Sequence, residues 1–93
     1  MDLKPGQIVI SKAGRDKGYI FVVFSIISDG DGDFVYLIDG KERSVTKPKK
    51  KKRKHIQPTL AIDENIAQLI SQNANLKDAD FKAAIKNFKA RQI

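Results

Sequence analysis

Between Lys47 and Lys54 the chain carries seven positive side chains in eight positions, Lys47-Pro48-Lys49-Lys50-Lys51-Lys52-Arg53-Lys54. Drawn out as a strand, neighbouring charges stand about 3.3 Å apart, inside a Debye length of about 8 Å at physiological salt, so the run repels itself until counterions or phosphates neutralise it. As a strand it offers no apolar face, and as a helix it stacks like charges four residues apart. The chemistry open to it is electrostatic capture of a polyanion. A shorter basic stretch, Lys12-Ala13-Gly14-Arg15-Asp16-Lys17-Gly18, lies between two apolar runs, and its paired glycines permit positive φ and let a ligand approach the backbone closely. If the fold brings the two stretches side by side, they form one surface for tracking phosphates. The candidate contacts are Lys12, Gly14, Arg15, Lys17, Gly18, Arg43, Lys47, Lys49, Lys50, Lys51, Lys52, Arg53, Lys54 and His55.

Competing readings of the same residues are less demanding. A lysine run also serves as a solvated linker, Arg15 and Lys17 as ordinary surface charges, and Pro48 to Lys54 has the composition of a nuclear localisation signal. The bracketing of the run by structured segments, in the same basic half as Lys12, Arg15 and Lys17, favours binding. Other chemistries find little to use. Cysteine is absent, His55 is the single histidine, and no nucleophile stands paired with a base, so neither catalysis nor a metal or cofactor site is expected. Asp29, Asp31 and Asp33 imitate the start of a calcium loop, but Phe34 stands where glycine is required and Gly40 where a bidentate Glu belongs, so a polar turn is the better reading. Gly40-Lys41-Glu42 lacks the remaining residues of a phosphate loop. Phe21, Phe24, Phe34, Phe81 and Phe88 all fall on runs that need burial, which favours phosphate and groove contacts to structured RNA over base stacking, Tyr19 and Tyr36 excepted.

Of the 93 residues, 41% are apolar and 31% charged, the balance of a folded protein with one thin core. The net charge of +7 is unevenly held: residues 1 to 60 carry +6 and residues 61 to 93 only +1. The missing cysteine suits a reducing compartment, the N-terminus has no apolar signal core, and no apolar run is long enough for a membrane span; a cytoplasmic protein is expected.

The elements that must position the basic stretches follow from pattern. Gln7 to Lys12 reads as a strand, and Tyr19 to Ser28 as a longer one, with aromatic or β-branched residues at eight of ten positions and both faces apolar. Such a strand needs a cover on each side, and the C-terminal segment can supply one. A turn at Asp29 to Asp33 leads to a strand over Phe34 to Asp39. Asp39-Gly40 has the composition of a type I′ hairpin returning through a fourth strand at Lys41 to Thr46. Ile56 to Leu60 makes a fifth, placed at an edge by Pro58. From Ile62 the period becomes helical: Ile66, Leu69 and Ile70 share a face behind an Asp63 cap, and Phe81, Ala84, Ile85 and Phe88 form a second stripe with Lys82, Lys86 and Lys89 turned to solvent. Two short helices do not hold themselves folded in water, so their stripes must be buried on the sheet or on a partner.

The stretch Ile8 to Val23 resembles the KOW motif, whose hallmark is a glycine in a short basic loop between two strands; Gly18 matches that glycine. Leu37-Ile38-Asp39-Gly40 followed by a basic segment and Lys54-His55-Ile56-Gln57-Pro58-Thr59 is similar to the order found in KOW-containing ribosomal proteins of the large subunit and in small stand-alone bacterial KOW proteins. Phe21 stands where many KOW motifs have a second glycine. The resemblance spans roughly residues 6 to 60 and implies an SH3-like barrel there, the closure that four or five short strands joined by tight turns also favour. With the helical periodicity beyond Ile62 the expectation is a mainly β fold, a small SH3-like barrel at 1–60 including the basic segment 47–55, with one or two helices appended at 61–93. It implies non-catalytic binding of structured RNA, in particular ribosomal RNA, on or beside the large ribosomal subunit. An interaction adaptor docking on the ribosome or RNA polymerase through the barrel or the Phe81, Ile85, Phe88 stripe is the alternative, and nucleic-acid condensation a third.

Overall fold

In the computed structural model, residues 3–29 and 32–91 are described. The β-branched and aromatic runs form β1 (Gln7–Ser11), β2 (Ile20–Asp29) and β3 (Gly32–Ile38). Gly30 and Asp31, the middle of the expected polar turn, lie outside the described residues; on its flanks Asp29 pairs with Gly32. After a long connection come β4 (Lys49–Lys52), a 3₁₀ turn (Arg53–His55) and β5 (Ile56–Ile62). Two helices close the chain, α1 (Glu64–Ser71) and α2 (Asp78–Ala90). The five strands make one antiparallel sheet in the order β4-β3-β2-β1-β5.

The two edge strands share no ladder, yet only the three residues Arg53–His55 separate them. In a flat five-stranded sheet the edges would stand about 19 Å apart, beyond the reach of about 14 Å that this link allows. The sheet therefore curls. β2 supplies the bend: Ile20 to Val22 pair with β1, the strand from Val22 onward pairs with β3, and the register slips between Val23 and Ser25. Such a bulge bends and twists a strand.

Curling divides the apolar residues into two cores. The inner face buries Val9, Phe21, Val23, Val35, Leu37 and Ile56. On the outer face Ile8, Val22 and Ile38 are covered by Ile66 of α1 and by Phe81, Ala84 and Phe88 of α2. From Phe21 to Val23 both faces of β2 are buried because each meets a different core, whereas Ile26 and Ile27 beyond the bulge stay exposed, and Phe81, Ala84 and Phe88 of the helical stripe are spent on the sheet. Full burial of an aromatic such as Phe81 contributes up to about 3 kcal/mol. Asp63 caps α1 as expected, its Oδ1 accepting from the backbone N of Ile66 at 2.9 Å. β5 is an edge strand, consistent with Pro58, and runs to Ile62 rather than ending at Leu60.

The expected fourth strand at Lys41 to Thr46 does not form, and Asp39-Gly40 is not a tight hairpin. Asp39 Oδ1 accepts from the backbone N of both Lys41 and Arg43 at 2.9 Å, while the Arg43 carbonyl accepts from the N of Asp39 and Gly40 at 3.0 Å. These bonds consume the groups a ladder would need. Gly40, at φ +81, is buried beneath the first turn of α2, where Asp78 Oδ1 accepts from the N of Val45 at 2.8 Å. The fourth strand forms instead inside the lysine run, eight residues later than expected.

A Cβ on Gly40 would run into the Asp78 carbonyl and sit 2.9 Å from Lys82 Cγ, and the φ value is unfavourable for any L side chain. Gly40→Ala is expected to destabilise the protein by about 2 kcal/mol or more and to lower Tm by about 10 °C, measured by thermal unfolding. An unchanged Tm would mean that α2 is not seated on this loop.

Candidate nucleic-acid interface

The pleat decides how the lysine run is presented. Opposite residues of an antiparallel pair share a face, and β4 pairs Lys52 with Phe34, Lys51 with Val35, Lys50 with Tyr36 and Lys49 with Leu37. Lys49 and Lys51 therefore lie on the inner face at the sheet edge, half-buried, while Lys50 and Lys52 stand exposed on the outer face. Lys50 Nζ lies 4.5 Å from the centroid of the Phe34 ring, close enough for a cation–π contact. A lysine strand needs no apolar residues when its aliphatic stems cover neighbours and one ammonium is neutralised, so the run forms β4 after all.

That ammonium is Lys51. Its Nζ donates to the Ala13 carbonyl at 2.8 Å and to Asp16 Oδ1 at 2.9 Å, across 38 and 35 residues of sequence, with the two side chains 9% and 15% exposed. Ser11 Oγ lies 2.7 Å from the same Asp16 oxygen and 3.0 Å from the Ala13 carbonyl; its one proton goes to the shorter, charged acceptor. Burial alone would raise the Asp16 carboxyl. The hydrogen bonds from Ser11 and Lys51, with the charges of Lys51 and Lys49, outweigh it and hold the group below its ordinary value of 3.8.

Asp16 is thus the inward pivot of the loop, and its neighbours Arg15 and Lys17 are turned out and exposed. Gly14 and Gly18 take φ +86 and +89, conformations that few other residues adopt. A Cβ at Gly14 would come within 3.4 Å of Lys51 Nζ, whereas one at Gly18 would meet only open space. The loop is tied a second time by its backbone, Lys12 N donating to the His55 carbonyl at 2.8 Å.

The glycine loop and the segment Lys49–His55 therefore meet. At the join Lys12 and His55 are bonded through their backbone, Arg15 and Lys17 stand exposed on either side of Asp16, Lys49 shares the face of Lys51, and Lys54 is exposed in the adjoining 3₁₀ turn. Lys51 does not belong with the expected phosphate contacts, because it is spent inside the fold. Lys50 and Lys52 belong to the other face. Arg53 lies in the 3₁₀ turn and makes interactions of its own. Arg43 is held through its backbone, its N donating to Asp39 Oδ1, and Lys47 sits in a turn closed by its N donating to the Ser44 carbonyl at 3.0 Å; no hydrogen bond among the described residues ties either to the glycine loop.

Ser11 and Asp16 were missed from sequence. A single acid enclosed by Arg15 and Lys17 was the available signal. Among the described residues no group of three or more histidine or acidic side chains comes together as a metal site would, and no helix is long and apolar enough to cross a membrane. No family model and no curated protein matches the chain.

Replacing Asp16 with Asn leaves the Lys51 ammonium largely buried without its counter-charge, at a cost of about 2 kcal/mol at neutral pH, less than for a fully buried pair. Since folding lowers the Asp16 pKa, its stabilisation is complete above the ordinary value and is lost as pH falls through the lower folded value. The gap in unfolding free energy between wild type and Asp16→Asn is expected to be widest at pH 6–7 and to shrink below about pH 4, measured by urea denaturation across pH. A gap independent of pH would exclude the carboxylate as its source.

Proposed function

We propose that this protein binds structured RNA through phosphate contacts made jointly by the glycine loop and the Lys49–His55 segment, without catalysing a reaction. The observation that carries this reading is the Lys51 side chain bonded to Ala13 and Asp16, which holds one basic stretch against another. Bringing like charges together costs free energy in the unbound protein, and a polyanion recovers it by displacing counterions.

The KOW resemblance supports RNA as that polyanion. A short basic loop with Gly18 at positive φ joins two antiparallel strands, five strands curl around an inner core, and a 3₁₀ turn precedes the last strand. An SH3-like barrel of the KOW type is the finer architecture we assign to that curled sheet, and ribosomal RNA of the large subunit, in the cytoplasm, is the setting the resemblance implies. Docking a protein partner through Phe81, Ile85 and Phe88 is not part of this reading, because Phe81 and Phe88 are buried against the sheet and Ile85 packs beside them.

Log affinity for an RNA hairpin should fall linearly with log salt, and each of Arg15→Gln, Lys17→Gln and Lys54→Gln should reduce that slope by about 0.7–0.9. Lys51→Gln should instead lower Tm. Anisotropy titrations between 50 and 300 mM salt provide the test, and slopes unchanged by the loop variants would reject the loop as a phosphate contact.

A further inference from the structure

Beside the end of the glycine loop lies an open cleft of about 750 Å³ lined by Gly18 to Ile20, residues of the Asp39–Glu42 turn and α2. Its rim carries Lys41 and three lysines of α2, Lys82, Lys86 and Lys89. The α2 lysines, expected to face solvent from their spacing, thus share one cleft. Two acids, Asp39 and Glu42, also line it, but Asp39 Oδ1 is occupied by the backbone N of Lys41 and Arg43. Cations exceed acids by two.

Spacings of four and three residues place Lys82, Lys86 and Lys89 on one face of α2, about 6 and 4.5 Å apart along its axis, a row of cations on one side of the cleft. The cleft wall is different in character. Tyr19, 53% exposed, stands at its edge, with Ile20 and Ile85 behind. Gly18 at the mouth offers open space where a side chain would otherwise stand. An exposed aromatic ring and apolar side chains lining the same cleft as a row of lysines is the combination that receives an unpaired base and its phosphates.

We infer that this cleft is a second nucleic-acid subsite, which takes an unpaired stretch of the same RNA, a base stacking on Tyr19 and the phosphates lying along Lys82, Lys86 and Lys89. The inference rests on the RNA-binding reading above and adds a ligand class to it: RNA with a single-stranded segment next to a helix. Gly18 is the crossing point, shared between the loop that meets the helix and the cleft that meets the free strand.

The test compares two RNAs, a blunt hairpin and the same hairpin with a four-nucleotide single-stranded 3′ extension, bound by wild type, Tyr19→Leu and the triple variant Lys82→Gln, Lys86→Gln, Lys89→Gln. Wild type should bind the extended hairpin about tenfold more tightly than the blunt one. Both variants should lose that preference, and Tyr19→Leu should bind the blunt hairpin as wild type does, which also shows that it is folded. Equal binding of the two RNAs by wild type, a preference that survives either variant, or equal losses for both RNAs in the triple variant would overturn the subsite and leave the interface at the loop standing. Failure of wild type to bind either RNA would overturn both.

Discussion

One partly buried ion pair governs how this molecule presents its charge. Lys51 and Asp16 come from segments separated by 35 residues, and each segment repels the other through its remaining cations. The acid at the join offsets that repulsion. With it, the loop is held by two Lys51 hydrogen bonds and a Ser11 hydroxyl, and Arg15 and Lys17 are left facing out because the residue between them faces in. Stability and the proposed function are therefore coupled: the carboxylate that steadies the loop is also what makes the cationic surface continuous.

The pleat of β4 adds a division of labour that composition hides. Seven cations in eight positions look equivalent on paper, but alternation sends Lys50 and Lys52 to the outer face beside Phe34 and Tyr36, and Lys49 and Lys51 to the inner face beside the loop. A run of lysine tolerates this because a long aliphatic stem packs on either face while its ammonium reaches water or a partner.

Much of the architecture was legible from local pattern. The β-branched runs fixed β1 and β2, Pro58 marked an edge, and the Asp63 cap and the spacing of Phe81, Ala84 and Phe88 fixed the helices and the face they bury. The connection after β3 was misread because the Asp-Gly pair carries two meanings. In a hairpin it supplies the positive φ of a turn; here Gly40 supplies positive φ and also the absence of a side chain where α2 approaches. Only tertiary contact separates the two. The site was half legible for a similar reason: cations are visible as a run, but the acid that organises them, Asp16, looks like a minor interruption, and the lysines of α2 join the cleft only once the helix is seated.

The central claim is that the glycine loop and the Lys49–His55 segment act as one surface. An NMR titration of the isotopically labelled protein with an RNA hairpin follows both at once through the backbone amides of residues 12–18 and 49–55. The account predicts that both sets shift along a single saturation curve with one dissociation constant. Shifts confined to one segment, or two curves with separate constants, would contradict it.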